Sequence, residues 1–144
     1  IRPGVVYGVG RDQGLTSTTT VAILAAAAGK SYSVPFAGGV SWLYGAEVAS
    51  AFIRAVSCER SGAPVFEMNG VYAPVEEGLR ILKELAPAAA ITCTGQPLAF
   101  PMHLPDTPLR AYLGDYGEMP LADGIRQTFE AFQSLLKRGL VSAP

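Results

Sequence analysis

The run IRPGVVYGVGRDQG at positions 1–14 decides how this chain is read. Residues 1–7 are β-branched and aromatic and lead into Gly8, Gly10 and Gly14, the pattern of a buried strand entering a glycine-rich loop. Beyond the loop, residues 16–20 offer several Ser and Thr helix caps, residues 21–28 form an alanine-rich helix, and Gly29 stands at its C′ position. A strand, a glycine loop and a helix invite a nucleotide-binding reading, because bare backbone can approach a pyrophosphate held at a helix N-terminus. Two details argue against a true dinucleotide fingerprint. The third glycine falls one position late for G-x-G-x-x-G, and residues 30–39 contain no acidic side chain to grip a ribose hydroxyl.

Outward from this run, strands and helices alternate. Residues 31–36 and 40–44 read as short strands on either side of the Gly38-Gly39 turn. Residues 46–57 place Val48, Ala49, Phe52, Ile53 and Val56 on one stripe, the spacing of a helix packed on a sheet. Residues 64–68 (PVFEM) read as another buried strand. Residues 74–85 read as a helix with Glu76 and Glu77 near its positive end and Val75, Leu79, Leu82 and Leu85 inward. Residues 90–94 read as an edge strand, and residues 96–108 as a proline-rich surface crossing. A short helix over 107–113 and a last helix over 121–138, with Ile125, Phe129, Phe132 and Leu136 inward, complete the chain. The class is α/β, and the length fits one domain over 1–144.

Composition narrows the partners. Charged residues make up 16% of the 144, against about 25% in average soluble domains, while apolar residues reach 49%. Either the core is unusually complete or part of the apolar surface faces other protein. A net charge of −1 from 11 basic and 12 acidic residues leaves no footprint for nucleic acid or an anionic membrane. The longest apolar stretch, residues 21–28, is far short of the roughly 20 residues that span a bilayer, so a soluble cytoplasmic protein is expected. Cys58 and Cys93 lack metal-type spacing and read as small buried hydrophobes.

The opening run also resembles the segment that follows the catalytic helix in extended short-chain dehydrogenases/reductases of the NAD-dependent epimerase/dehydratase kind, with its R-P-x-x-V-Y-G core. Three later stretches resemble that family's landmarks in order. Residues 42–49 (WLYGAEVA) match Y-V-x-D-V-A, with Glu47 in the acidic position. Residues 64–70 (PVFEMNG) match V-F-N-L-x-G, and residues 113–125 match L-G-x-x-P-x-x-L-x-D-G-I. The resemblance implies partial Rossmann-type sheet elements plus the small carboxy-terminal substrate-binding subdomain, a substrate-side domain without the amino-terminal dinucleotide-binding half. A chain that opens inside a strand agrees with this expectation.

The resemblance also implies where ligands lie. The backbone around Pro3, Gly4, Val5 and Val6 would border the nicotinamide of NAD or NADP in a full-length parent, and residues 10–15, with Leu15, would close over substrate. Arg11 and Gln13 are the side chains there best able to bond an anionic or polyhydroxylated ligand. Trp42 is a further candidate for the substrate wall, although an aromatic on a strand also suits core packing. The family's acid/base is a Tyr-x-x-x-Lys pair, because a tyrosine near pKa 10 needs a neighbouring ammonium to exchange protons at neutral pH. No tyrosine here has a lysine four residues on: the partners of Tyr7, Tyr32, Tyr44, Tyr72, Tyr112 and Tyr116 are Arg11, Phe36, Val48, Glu76, Tyr116 and Pro120. No catalytic residue is assigned, and the chain alone is expected neither to hold NAD(P) tightly nor to turn over substrate.

Sugar-nucleotide epimerases usually carry an asparagine at the place of Val5 and an arginine near Val40, so a small carbonyl or hydroxy compound is expected here instead. His103 reads as a surface imidazole, Glu47 as a helix cap, Asp123 as a first-turn acid and Glu118 as a solvated loop residue; no metal site is expected. Three readings remain open. The chain is the substrate side of an oxidoreductase or epimerase, completed by a Rossmann half; or a stand-alone binding module paired as a symmetric dimer; or a small nucleotide-binding domain that uses residues 8–14.

Overall fold

The computed structural model describes residues 1–99, 101 and 103–144, so the proline-rich crossing is described except at positions 100 and 102. The opening strand is divided where its partner changes. Its first part, β1 (Arg2–Pro3), pairs in parallel with β5 (Glu67–Met68), and its second, β2 (Val5–Tyr7), with β4 (Gly39–Tyr44). The Gly4 N–H donates to Met68 O at 2.8 Å at the hand-over. The chain then leaves β5 and turns to run antiparallel to β4 as β6 (Val71–Pro74). That turn passes directly over β4: a Cβ at Gly70 would collide with the Trp42 carbonyl, so only glycine fits. The resulting sheet has the order β2-β4-β6.

Because side chains on a strand alternate between faces, β4 feeds two cores. Val40 and Trp42 point into the larger one, Leu43 into a smaller one with Ala51, Met68, Leu109 and Tyr116. The larger core lies between the sheet and three helices: α1 (Thr18–Ala27), α3 (Val75–Leu85) and α5 (Leu121–Lys137). Helix α5 presents Leu121, Ile125, Phe129 and Phe132 at near-helical spacing, each side chain fully or almost fully buried and contributing roughly 1.5–3 kcal/mol by its transfer from water. Helix α1 begins after a single 3-10 turn (Leu15–Ser17), and the Gly29 and Lys30 amides close its end on Ala26 O and Ala25 O. A side sheet pairs β3 (Tyr32–Val34) in parallel with β7 (Ile91–Cys93). Helix α4 (Thr107–Leu113) covers the smaller core.

One helix departs from its sequence reading. In α2 (Gly45–Ser57) the inward residues are Glu47 and Ala51, whereas Phe52, Ile53 and Val56 face outward with 45%, 64% and 84% of their surface exposed. The apolar stripe is real, but it points away from this chain's sheet. The smaller core offers the helix room for little beyond Ala51 and Val48. Cys58 and Cys93 are half-buried free thiols, not interior ones. Among the described residues, no helix is long and apolar enough to cross a membrane.

Candidate functional site

The loop between β2 and α1 is tied down by its own groups. The Gly8 N–H donates to Thr20 Oγ1 at 3.2 Å, and the Arg11 N–H donates to Gly8 O at 3.1 Å. At its far end the Ser17 N–H and hydroxyl both donate to Gly14 O, at 3.1 and 2.6 Å. The Arg11 side chain folds back over the loop, donating from one guanidinium nitrogen to Gln13 O and from the other to Thr16 Oγ1 at 3.2 Å. The Gly8 and Arg11 amides are therefore already engaged, by Thr20 and by Gly8 O. With these two amides taken and no acidic side chain in residues 30–39, the loop departs from a dinucleotide phosphate site.

Beside it lies a cavity of about 350 Å³, bounded by Pro3, Gly4 and Val5, by Arg11 and Thr16 from the loop, by Glu67 and Asn69, and by Pro101 and Leu104 of the proline-rich crossing. This volume falls at the lower end of the roughly 300–1,000 Å³ usual for small-molecule sites. The wall at Gly4 has no side chain, so backbone is presented directly. Glu67 is ion-paired with Arg2, and the Asn69 Nδ2 is buried without a hydrogen-bond partner. A second cavity, of about 200 Å³, lies between Cys58, Arg60, Phe66, Leu109 and Tyr112.

The structure thus brings Pro3, Gly4, Val5 and Arg11 to one cavity. Val6 is half-buried on the other side of β2, in contact with the smaller core, while Gln13 and Leu15 stand exposed on the loop. Trp42 is in the larger core: it meets Tyr7 edge-on at 5.6 Å, lies against Gly78 of α3 and donates from Nε1 to Ala73 O at 3.3 Å. Of the two roles read for it, packing is the one observed. Thr16, Glu67 and Asn69 escaped the sequence reading. The available signal was Glu67 and Asn69 at i and i+2 on an otherwise apolar strand, which puts two polar groups on one side.

Glu47 is 6% exposed and bonded at both oxygens. Oε2 accepts the Tyr44 N–H, which caps α2 as expected, and Oε1 accepts the Met119 N–H from the loop before α5. Burial pushes its carboxyl above the usual carboxylate range, with the two N–H bonds opposing the rise. Burial likewise raises the Tyr116 phenol, as does its hydrogen bond to Asp106. These groups lie apart from the 350 Å³ cavity and lock loops together. His103 is exposed, its ring tilted against that of Tyr72 with 4.8 Å between centroids. Among the described residues, no group of His, Cys, Asp and Glu could hold a metal ion.

No protein-family model matches the sequence, and neither does any curated protein. Solved structures do match. A partial consensus L-threonine 3-dehydrogenase superposes on 93% of this chain with TM-score 0.80 at 16% identity. The holo form of the GalE-like L-threonine dehydrogenase from Cupriavidus necator does so on 90% with TM-score 0.75 at 15% identity. The UDP-glucose 4-epimerase of Thermus thermophilus in complex with NAD covers 97% with TM-score 0.72 at 21% identity. The chain spans about half the length of these structures: 47%, 45% and 46%. The likeness establishes the fold: α/β, as in one half of extended short-chain dehydrogenases and epimerases.

Proposed function

We propose that this chain is the substrate-side part of an NAD(P)-dependent oxidoreductase, epimerase or dehydratase acting on a small carbonyl or hydroxy compound. The observation that carries the reading is the cavity where Pro3, Gly4 and Val5 offer bare backbone opposite Arg11. In the complete enzyme an amino-terminal Rossmann half supplies the dinucleotide site and the acid/base pair, and the bound cofactor supplies a hydride donor or acceptor. This chain's residues bind and orient. Backbone at residues 3–5 forms one wall, the Arg11 guanidinium fixes an oxygen-bearing group, and Pro101 and Leu104 border the cavity. Alone, the chain holds no dinucleotide tightly and performs no turnover, since no tyrosine has a lysine placed to acidify it.

The test is an amide-resolved NMR titration of the chain with short hydroxy and keto compounds. Shifts clustered at Gly4, Val5, Arg11 and Thr16 support the reading, and shifts scattered elsewhere overturn it. A second reading, a non-catalytic module that pairs as a homodimer, is favoured by the outward stripe of Phe52, Ile53 and Val56. Under the first reading the Rossmann half covers that stripe.

A further inference from the structure

The loop between β2 and α1 has two sides, and Arg11 and Thr16 border the cavity at Gly4 on one of them. On the other, Val9, Gly10 and Asp12 meet Thr20, Val21 and Leu24 of α1, Phe132 of α5 and the tail at Val141 around a further cavity of about 360 Å³. We propose that this cavity is a second ligand site, for a small uncharged compound with a largely hydrocarbon body, and that its occupation is felt at the cavity beside Gly4 through the shared loop. That the Gly4 cavity is itself a ligand site rests on the substrate-side reading above.

The lining sets the chemical class. Phe132 is buried in the larger core, and Leu24 and Val141 pack against that core while still bordering the cavity. The tail arrives there because the chain reverses after α5: Gly139 takes a φ of 66°, and the Leu140 N–H donates to Leu135 O at 3.0 Å. Of the polar groups, Thr20 Oγ1 already accepts the Gly8 N–H, and the exposed Asp12 carboxylate disfavours an anion. What a ligand gains is the covering of hydrocarbon, which favours an apolar body.

The coupling follows from how the loop is braced. The Arg11 N–H donates to Gly8 O, and its guanidinium donates to Gln13 O and Thr16 Oγ1, so residues 8–16 are tied into one partition between the two cavities. A ligand that presses on Val9 and Gly10 therefore displaces Arg11 and Thr16 with them.

The probes are cyclohexanol and myo-inositol, the same ring with a single hydroxyl and with a hydroxyl on every carbon, titrated into the labelled chain. Cyclohexanol is expected to give saturable shifts at the Val9, Gly10, Leu24 and Val141 amides and also at Thr16; lacking a ring current, it moves Thr16 by moving the loop. Myo-inositol is expected to give none. Val141→Asp should weaken cyclohexanol at least about fivefold by placing a charge in the apolar lining. Arg11→Ala should keep the shifts at Val9 and Leu24 and abolish the one at Thr16. Absence of saturable shifts at these residues, or an equal response to myo-inositol, overturns the site; shifts that stop short of Thr16 overturn the coupling. Should Val141→Asp unsettle the fold, Val9→Ser on the exposed loop decides: weaker binding of cyclohexanol supports the proposal, and unchanged binding overturns it. The substrate-side reading is judged separately, by the response of Gly4 and Val5 to hydroxy and keto compounds.

Discussion

Glu47 Oε1 accepts the Met119 N–H at 2.8 Å across 72 positions of sequence, while Oε2 of the same carboxylate accepts Tyr44 N–H at 2.8 Å. One buried side chain therefore joins the start of α2 to the segment that launches α5. Glu47→Gln keeps one acceptor and turns an NH2 toward a backbone N–H, so a loss of about 1–2 kcal/mol is expected in denaturant unfolding. The pH dependence has a definite sign. Burial, aided by Glu118, lifts the folded pKa above 4.5, against the Met119 and Tyr44 N–H groups and Arg110. A raised folded value means that the folded chain binds the proton more tightly, so the associated stability is present below 4.5 and lost as pH rises through the folded value. The native chain's advantage over Glu47→Gln should shrink as the pH rises above 4.5 through the folded value. A constant difference would show that Glu47 titrates alike in both states.

Tyr7 carries a hydroxyl with no partner at the centre of the larger core, between Trp42 and Tyr44. A Cβ at Gly124 would collide with that hydroxyl, so the first turn of α5 is already pressed against it. Tyr7→Phe removes an unpaired polar atom and should be neutral or stabilising by about 1 kcal/mol. Gly124→Ala should destabilise the native chain and be better tolerated beside Tyr7→Phe, a coupling that a double-mutant cycle measures.

The outward stripe of α2 sets the chain's solution behaviour. Ile53→Lys with Val56→Lys should alter the unfolding free energy by no more than about 0.5 kcal/mol, because both side chains are mostly exposed. In sedimentation the same pair of changes should move an associating chain toward monomer. A loss of roughly 2 kcal/mol or more would mean that these side chains pack within the monomer after all.

How far the sequence was legible depended on where each residue's partners lie. The core face of α5 could be read because Ile125, Phe129 and Phe132 bury against this chain's own sheet. The stripe of α2 was just as periodic, yet periodicity reports that a face is apolar and not what covers it. The opening strand was visible, but its division at Gly4 was not, since that follows from a change of neighbour between Met68 and Trp42. At the site, the glycine run marked one wall. Glu67 and Asn69, beside that wall, are brought there by the parallel pairing of β1 with β5, a tertiary event that no local pattern records. Trp42 stood among the substrate candidates, and the alternation along β4 turned it inward.

The most direct test of the account is calorimetric titration of the isolated chain with NAD⁺, NADH, NADP⁺ and NADPH. With the Gly8 and Arg11 amides engaged by Thr20 and Gly8 O, and no acidic side chain in residues 30–39, no binding tighter than about 1 mM is expected, a free energy no better than about −4 kcal/mol. Micromolar binding of any of the four, with the Gly8, Gly10 and Gly14 amides responding, would contradict it.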